Sequence, residues 1–130
     1  AGTTHDFRQY RSVRREENGQ QVVYDNNFCL SSQRRPLRRV ASARGAHSGI
    51  ELNVSTTEPG VQFYAANTLG GKPAIGLTGK TYDNHAGLCF EAQTWPDATH
   101  FPYFPQAVLR PDVAYSQMTK YSFSRNRADA

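Results

Sequence analysis

The sequence lacks several features that would place a protein in a broad class at once. It has no apolar run approaching the roughly 20 residues of a membrane-spanning helix, so we expect no membrane partner. No segment repeats apolar residues at helical spacing, which argues against long helices. Zinc-finger spacing, a glycine-rich phosphate loop and a basic helical face are also missing, so we expect no nucleic-acid partner.

Cysteine and histidine are scarce as well. The 130 residues include two cysteines and four histidines, and their spacing matches no metal-ligand pattern. We therefore predict neither a metal site nor another cofactor. Cys29 and Cys89 are predicted to be buried free thiols, with a disulfide as the less favoured alternative.

The charge of the chain is unevenly distributed. The net charge is +4, yet residues 1–44 carry nine arginines against four acidic residues, a local balance of +5. Such a basic region is compatible with a phosphate group or an anionic surface. Solvated loops and contacts with an acidic partner are the simpler interpretation of a charge block.

The sequence does contain strand-forming segments. A chain of 130 residues is long enough for one domain with a modest core. Apolar or alternating segments bounded by Gly, Pro, Asn and Asp predict an all-β fold of about six or seven strands, with one sheet packed on another. The predicted strands are 21–30, 40–43, 50–56, 61–65, 88–92 and 114–124, and residues 67–81 are predicted to be a long exposed loop.

The first predicted strand contains a polar interruption. Asp25-Asn26-Asn27 separates the apolar residues on either side, which predicts a bulge or a functional insertion. An Asx-turn is the alternative interpretation for Asp25. A few residues earlier, Asn18-Gly19 predicts a turn.

Residues 87–97 are the most informative segment, because they hold the single tryptophan and one of the two cysteines. Within them, Glu91 occupies an otherwise apolar strand and is the acid that we expect to be buried. A buried carboxylate requires a partner or a function, because an unpaired buried charge is costly. An ion pair with one of the many arginines is the leading structural interpretation. Strand alternation would place Cys89 and Gln93 on the face of Glu91.

Residues 83–124 resemble the C-terminal end of the aldose 1-epimerase (galactose mutarotase) family. The positions that meet its main motif are His85, Gly87, Cys89, Glu91, Gln93, Trp95, Pro96, Asp97 and Ala98. The positions that meet its trailing motifs are Leu109, Arg110, Pro111, Tyr115, Thr119, Tyr121 and Phe123. Residues 2–8, 24–28 and 56–64 are similar to further segments of the family, in the same order along the chain.

The resemblance implies an antiparallel β-sandwich of the galactose mutarotase-like (supersandwich) type. Residues 1–130 would form a single domain or the C-terminal portion of a larger sandwich. The implied reaction interconverts the α and β anomers of a free aldohexose, such as glucose or galactose, by acid-base ring opening. Glu91 would be the catalytic base, and Asp25 and Gln62 would bind sugar hydroxyls. A hydrogen bond on an exposed strand face is the alternative for Gln62, and a non-catalytic carbohydrate-binding or regulatory protein is the alternative function.

The sequence also departs from the family pattern. Asn26 stands where the family usually has histidine, and asparagine cannot titrate. The family's two active-site histidines, one of them the general acid, lie in an N-terminal half that this chain does not contain, as does a substrate-binding arginine. His85 is a poor substitute, because six residues of extended strand would separate it from Glu91 by roughly 20 Å. We therefore expect an N-terminal segment or a second chain to complete the fold.

Overall fold

The structure, a computed structural model, describes residues 2–69 and 74–125. In this part of the chain it contains ten β-strands and no α-helix, which confirms the predicted fold class. The strands are β1 (Glu16–Glu17), β2 (Gln20–Gln21), β3 (Asp25–Cys29), β4 (Arg38–Arg44), β5 (Ile50–Thr56), β6 (Gly60–Tyr64), β7 (Ala74–Ile75), β8 (Thr81–Tyr82), β9 (Cys89–Gln93) and β10 (Thr119–Arg125). Over the described ranges, no helical segment has the length and apolar character that crossing a membrane requires.

One three-stranded sheet has the order β10-β5-β4, and both outer strands are antiparallel to β5. Leu52 and Val54 alternate along β5 with Glu51 and Asn53, so one face of the sheet is apolar and the other is polar. Val54 is fully buried. The predicted hairpin of residues 40–43 and 50–56 is confirmed, and β4 is longer than predicted at both ends.

The second three-stranded sheet has the order β3-β6-β9, with β6 in the centre. Along β6, Val61 and Phe63 are buried, whereas Gln62 and Tyr64 are half-buried on the opposite face. Antiparallel sheets commonly bury one apolar face and leave polar side chains on the other. The strands predicted at 61–65 and 88–92 are confirmed within one residue at each end.

The strand predicted for residues 21–30 begins later than expected. β3 covers Asp25–Cys29, so the polar trio Asp25-Asn26-Asn27 lies inside the strand rather than interrupting it. Because β3 is an edge strand, its polar side chains remain accessible while its backbone pairs with β6. The last strand also begins later than predicted, since β10 starts at Thr119.

Two short hairpins account for the remaining described strands. β1 and β2 flank Asn18-Gly19, whose φ angles of 52° and 75° are the left-handed conformations of a type I′ turn, which confirms the predicted turn. β7 lies within residues 67–81 and pairs with β8, which begins at the end of that segment, so the segment is not entirely the loop that the sequence predicted. Residues 70–73 of that segment lie outside the described residues.

The chain forms two compact units, and each has its own buried residues. The first comprises residues 2–26, 63–69 and 74–89. Its aromatic core contains Phe7, Tyr24 and Phe63, with ring centroids 5.2 Å apart for Phe7–Tyr24 and 5.5 Å apart for Phe7–Phe63. The hydroxyl of the fully buried Tyr24 donates a hydrogen bond to the backbone oxygen of Thr4 at 3.0 Å. This bond fixes the N-terminal segment of the unit next to the start of β3.

The second unit comprises residues 27–62 and 90–125. Its buried residues include Val54, Thr56 and Val61. They also include the acidic residue Glu58, which is 1% exposed. A buried carboxylate is unusual in a small core and needs hydrogen-bond donors or a cation beside it.

Candidate functional site

Glu91 lies in the middle of β9, and its side chain is exposed. This corrects the prediction that Glu91 is the buried acid, since among the described residues the buried acid is Glu58. Cys89 and Glu91 are exposed in β9 and alternate with the half-buried Phe90 and Ala92. The carboxylate therefore points to the open side of its strand, a detail that a short apolar run cannot reveal.

The start of β6 shows how β6 and β9 are paired. A Cβ atom placed on Gly60 would lie 3.1 Å from the backbone oxygen of Gln93 and 3.0 Å from Cδ1 of Trp95. Because Gly60 begins β6 and Gln93 ends β9, these neighbouring strands run antiparallel. Moving two residues into each strand from this contact places Glu91 opposite Gln62.

The surroundings of Gly60 also identify the face of the sheet on which the side chains of Gln62 and Glu91 lie. Nε2 of Gln93 donates a hydrogen bond to Oδ1 of Asn27 at 3.2 Å, which links β9 to β3 across the central strand. Oδ1 of Asn27 would lie only 2.8 Å from a Cβ atom on Gly60, so a glycine leaves room for this bond. Because strand side chains alternate, Gln62 and Glu91 share the face of Asn27 and Gln93. We refer to this surface as the open face.

Asp25 is the first residue of β3 and falls in the other compact unit. Its side chain is exposed, and the two-residue spacing gives it the same strand parity as Asn27. Its backbone N–H donates a hydrogen bond to Oδ1 of Asn26 at 3.3 Å, and that oxygen lies 3.0 Å from Nε2 of His5. Of the three predicted site residues, the pairing of β6 and β9 therefore brings Gln62 and Glu91 together.

The carboxylate of Glu91 has no ion-pair or hydrogen-bond partner among residues 2–69 and 74–125. Three other acids in the same ranges have a cation within 2.8 Å, namely Asp6 with Arg8, Glu51 with Arg44 and Glu58 with Arg34. The arginine pair considered for Glu91 is thus absent from this part of the chain. Such a carboxylate can accept a proton or a hydrogen bond from a ligand, and the amide of Gln62 can both donate and accept.

The hydrogen bonds of the histidines involve groups other than Glu91. His85 directs Nδ1 to the backbone oxygen of Ala65 at 2.9 Å, and His100 pairs with the carboxylate of Asp97. His5 contacts Asn26 as described above, and His47 is exposed in the turn between β4 and β5. Within the described ranges, no imidazole forms a hydrogen bond with Glu91.

The two cysteines are free thiols, as predicted, but both are exposed rather than buried. Cys29 and Cys89 have the strand parity of Asn27 and Glu91, and the face that carries those residues is the open one. Nδ2 of Asn27 lies 3.7 Å from Sγ of Cys29. In the part of the chain that the structure describes, no group of three or more His, Cys, Asp or Glu residues is arranged to hold a metal ion.

Sequence reasoning did not identify Asn27 and Gly60 as parts of this site. The two-residue spacing between Asp25 and Asn27 was a usable signal, because strand residues two apart share a face. The local sequence around Gly60 contains no comparable indication of the space beside this residue. It depends on the pairing of Asn27 with Gln93, which are 66 positions apart in the chain.

Comparison with known proteins identifies the family to which the chain is related. The family model described as aldose 1-epimerase matches residues 1–122. A galactose mutarotase of Mus musculus is 46% identical over 101 residues, which cover 78% of this chain and 29% of that protein. An aldose 1-epimerase of Escherichia coli (strain K12) is 35% identical over 130 residues, which cover 95% of this chain and 37% of that protein.

A solved structure shows the same relationship. The GalM/aldose epimerase homologue from C. elegans matches with a TM-score of 0.69 and 28% identity, over 81% of this chain and 31% of that chain. The chain spans about a third of the length of the curated relatives it matches. Its motifs, its antiparallel sheets and these matches agree, and the chain belongs to the aldose 1-epimerase family.

Proposed function

We propose that this chain is the C-terminal portion of an aldose 1-epimerase and that it carries the catalytic base. The observation that supports this proposal is the exposed carboxylate of Glu91, opposite Gln62 on the open face and without a cation among the described residues. The reaction class follows from the family, whose members include proteins named galactose mutarotase and aldose 1-epimerase. The proposed substrate is a free aldohexose such as galactose or glucose.

In the proposed reaction, Glu91 accepts the proton of the C1 hydroxyl of the sugar. The C1–O5 bond breaks as the C1 oxygen becomes an aldehyde, and a general acid protonates the ring oxygen. Rotation about the C1–C2 bond then presents the other face of the aldehyde to the C5 hydroxyl. Ring closure reverses the proton transfers, so both groups return to their starting protonation states and the other anomer is released.

Gln62 and Asp25 are the proposed ligands of the remaining sugar hydroxyls. The amide of Gln62 can donate to one hydroxyl and accept from another, while the carboxylate of Asp25 accepts. Both residues lie in strands, and strand backbones hold ligand contacts more rigidly than loops do. This arrangement would fix C1 near Glu91 rather than merely retain the sugar.

The general acid in this proposal comes from outside the described residues. Three of the four histidines contact groups other than Glu91, and His47 lies in the turn between β4 and β5. In the family, a histidine of the N-terminal half has the role of acid. We therefore propose that an N-terminal segment or a second chain completes the site, and "completed protein" here means this chain together with that part.

Polarimetry of freshly dissolved α-D-galactose and α-D-glucose tests the proposal. The completed protein should accelerate mutarotation above the buffer rate, and Glu91→Gln should reduce that acceleration about 10²- to 10⁴-fold, as loss of a general base does. Glu51→Gln is the matched control, because it makes the same change at a strand carboxylate of the other three-stranded sheet. Full activity in Glu91→Gln would contradict the proposal.

A titration of galactose into the same proteins, followed by calorimetry, separates binding from catalysis. Sugar binding with no acceleration over buffer would instead identify a carbohydrate-binding or regulatory protein. The chain alone provides a second comparison. If it were as active as the completed protein, the proposal that the general acid lies elsewhere would be wrong.

A further inference from the structure

Glu58 is a buried acidic residue that the proposed reaction does not use. Oε1 accepts a hydrogen bond from Nε of Arg34 at 2.8 Å, and the hydroxyls of Thr94 and Tyr115 each lie 3.4 Å from a carboxylate oxygen. These donors come from three separate places in the chain: between β3 and β4, directly after β9, and before β10. A buried carboxylate with this many donors is a junction between chain segments.

Arg34 extends this junction. Its guanidinium lies 4.6 Å from the ring centroid of Tyr115, and Nη2 lies 3.3 Å from Oγ1 of Thr94. The hydrogen bond to Glu58 raises the pKa of Arg34, so the guanidinium stays charged. Thr94, the residue that follows β9, therefore contacts both members of the ion pair.

The carbonyl oxygen of the neighbouring Pro59 forms a second junction. It accepts hydrogen bonds from the backbone N–H of Leu30 at 2.8 Å and of Ser31 at 3.1 Å. It also accepts one from the indole Nε1–H of Trp95 at 2.9 Å. Pro59 precedes the first residue of β6, while Leu30 follows β3 and Trp95 follows β9 by two residues. Both outer strands of the sheet are thus tied to the start of the central one.

These ties act on the register of the strands that carry the proposed site. Glu91 lies three residues before Thr94, and Gln62 lies three residues after Pro59. A one-residue slip of β9 against β6 would turn Glu91 to the opposite face of the sheet. Even a shift well below one residue would move its carboxylate relative to Gln62.

We propose that Glu58 is a positioning residue of the sugar site, which with Arg34 and Thr94 fixes β9 against β6 and so aligns Glu91 with Gln62. This proposal rests on the proposed function. Glu58 does not touch the open face and acts only through the strands. A positioning role differs from a purely structural one. Loss of a positioning residue lowers the catalytic rate of correctly folded molecules, whereas loss of a purely structural residue lowers only the fraction that folds.

The test compares Glu58→Gln with Glu51→Gln in the completed protein, since each change neutralises one arginine-paired carboxylate. At a temperature where both variants are fully folded, Glu58→Gln should lower kcat about tenfold, because displacement of a catalytic group by a fraction of an ångström has this order of effect. KM should change by less than about twofold, since the sugar ligands remain. Glu51→Gln should retain kcat, and an unchanged kcat in Glu58→Gln would overturn the proposal.

Thr94→Val and Thr94→Ser provide a second test if Glu58→Gln does not fold. Valine removes the hydroxyl that contacts the ion pair, whereas serine keeps it, so kcat should fall in the first variant and be retained in the second. Hydrogen exchange of the Trp95 indole N–H, followed by NMR, gives a readout that is independent of activity. Exchange should become about tenfold faster in Thr94→Val as the end of β9 loosens from Pro59.

The outcomes separate this proposal from the proposed function. Faster indole exchange with unchanged kcat in Thr94→Val would show that Thr94 only stabilises the structure, and it would overturn the positioning role. Unchanged exchange and unchanged kcat in Thr94→Val would overturn the link itself. Full activity in Glu91→Gln would remove the proposed function, and the positioning role at a sugar site with it, whatever the exchange data show.

Discussion

Two strand carboxylates on accessible sheet faces differ in their surroundings. Glu51 in β5 accepts hydrogen bonds from Arg44 at 2.7 Å and from Asn53 at 3.1 Å. Glu91 in β9 has no such partner among the described residues and lies opposite Gln62. The comparison shows that an acidic residue in a strand is not by itself a sign of function. For Glu91, the informative feature is the combination of a family motif position, the neighbouring Gln62 and a carboxylate without a cation among the described residues.

We expect the largest loss of stability when the buried carboxylate is removed, and a much smaller loss when the exposed carboxylate is removed. Glu58→Ala would leave Arg34 without its buried partner, and we expect a loss of about 2 to 4 kcal/mol in the free energy of unfolding. The partial exposure of Arg34, 37% of its side chain, lets water compensate for part of the loss. Glu91→Ala should change stability by less than about 0.5 kcal/mol, as expected for a surface position. Urea unfolding of the chain measures both values, and a comparable loss in Glu91→Ala would show that Glu91 has a structural partner.

A smaller effect is expected at the glycine that leaves space on the open face. A Cβ atom in Gly60→Ala would lie 2.8 Å from Oδ1 of Asn27 and 3.1 Å from the backbone oxygen of Gln93, so the Asn27 side chain must shift and the end of β9 must give by a few tenths of an ångström. We expect a loss of about 1 to 3 kcal/mol, the usual cost of overpacking. The matched control is Gly87→Ala, where a Cβ atom would meet nothing within 4 Å. Equal unfolding midpoints for the two variants would contradict the close packing at Gly60.

The partly exposed ion pair of the other sheet should contribute less. The side chains of Glu51 and Arg44 are 13% and 49% exposed, and solvent screening limits such pairs to about 1 kcal/mol or less. A double-mutant cycle of Glu51→Gln and Arg44→Gln, followed by urea unfolding, measures their coupling energy. A coupling energy of several kcal/mol would mean that the paired face holds the fold as strongly as Glu58 does, and the contrast between them would disappear.

The sequence was sufficient for the strands and for the residues that match the family. Alternation in residues 50–56 and the apolar runs at 61–65 and 88–92 placed three strands within one residue of their observed ends. These signals are local, because side-chain parity and turn residues act over a few positions. The family motifs similarly placed Glu91 and Gln62 in two of these strands, whereas the structure was needed to show that the two strands are neighbours.

Local sequence patterns could not predict which acidic residue is buried. Glu58 lies in a Glu-Pro-Gly turn signal, which is typical of an exposed turn, yet it is buried by donors from distant parts of the chain. Glu91 lies in an apolar run, yet it is exposed because its strand faces outward on that side. In both cases the environment is set by the pairing of distant segments. Local composition therefore gave the wrong acid as the buried one.

The smallest expected effect concerns Asp6, a paired carboxylate at the surface. Its two carboxylate oxygens accept hydrogen bonds from Nε and Nη2 of Arg8 at 2.9 and 2.8 Å, and from the backbone N–H of Gly2 at 2.9 Å. The hydrogen bonds from Arg8, followed by that from Gly2, hold the pKa of Asp6 well below its usual range. Its unfolded form therefore binds a proton at a higher pH than its folded form does.

This difference in pKa makes a prediction about stability with a definite sign. The contribution of Asp6 is fully present above the ordinary carboxyl pKa and is lost as the pH falls towards the lowered pKa of the folded state. The difference in unfolding free energy between the wild type and Asp6→Asn should thus shrink as the pH is lowered from about 6 to 2. Arg8→Gln removes the main cause of the shift and should reduce the same pH dependence. If the wild type and Asp6→Asn differed by a constant amount over this range, Asp6 would not be held in its charged form by Arg8, and pairing with arginine would no longer distinguish it from Glu91.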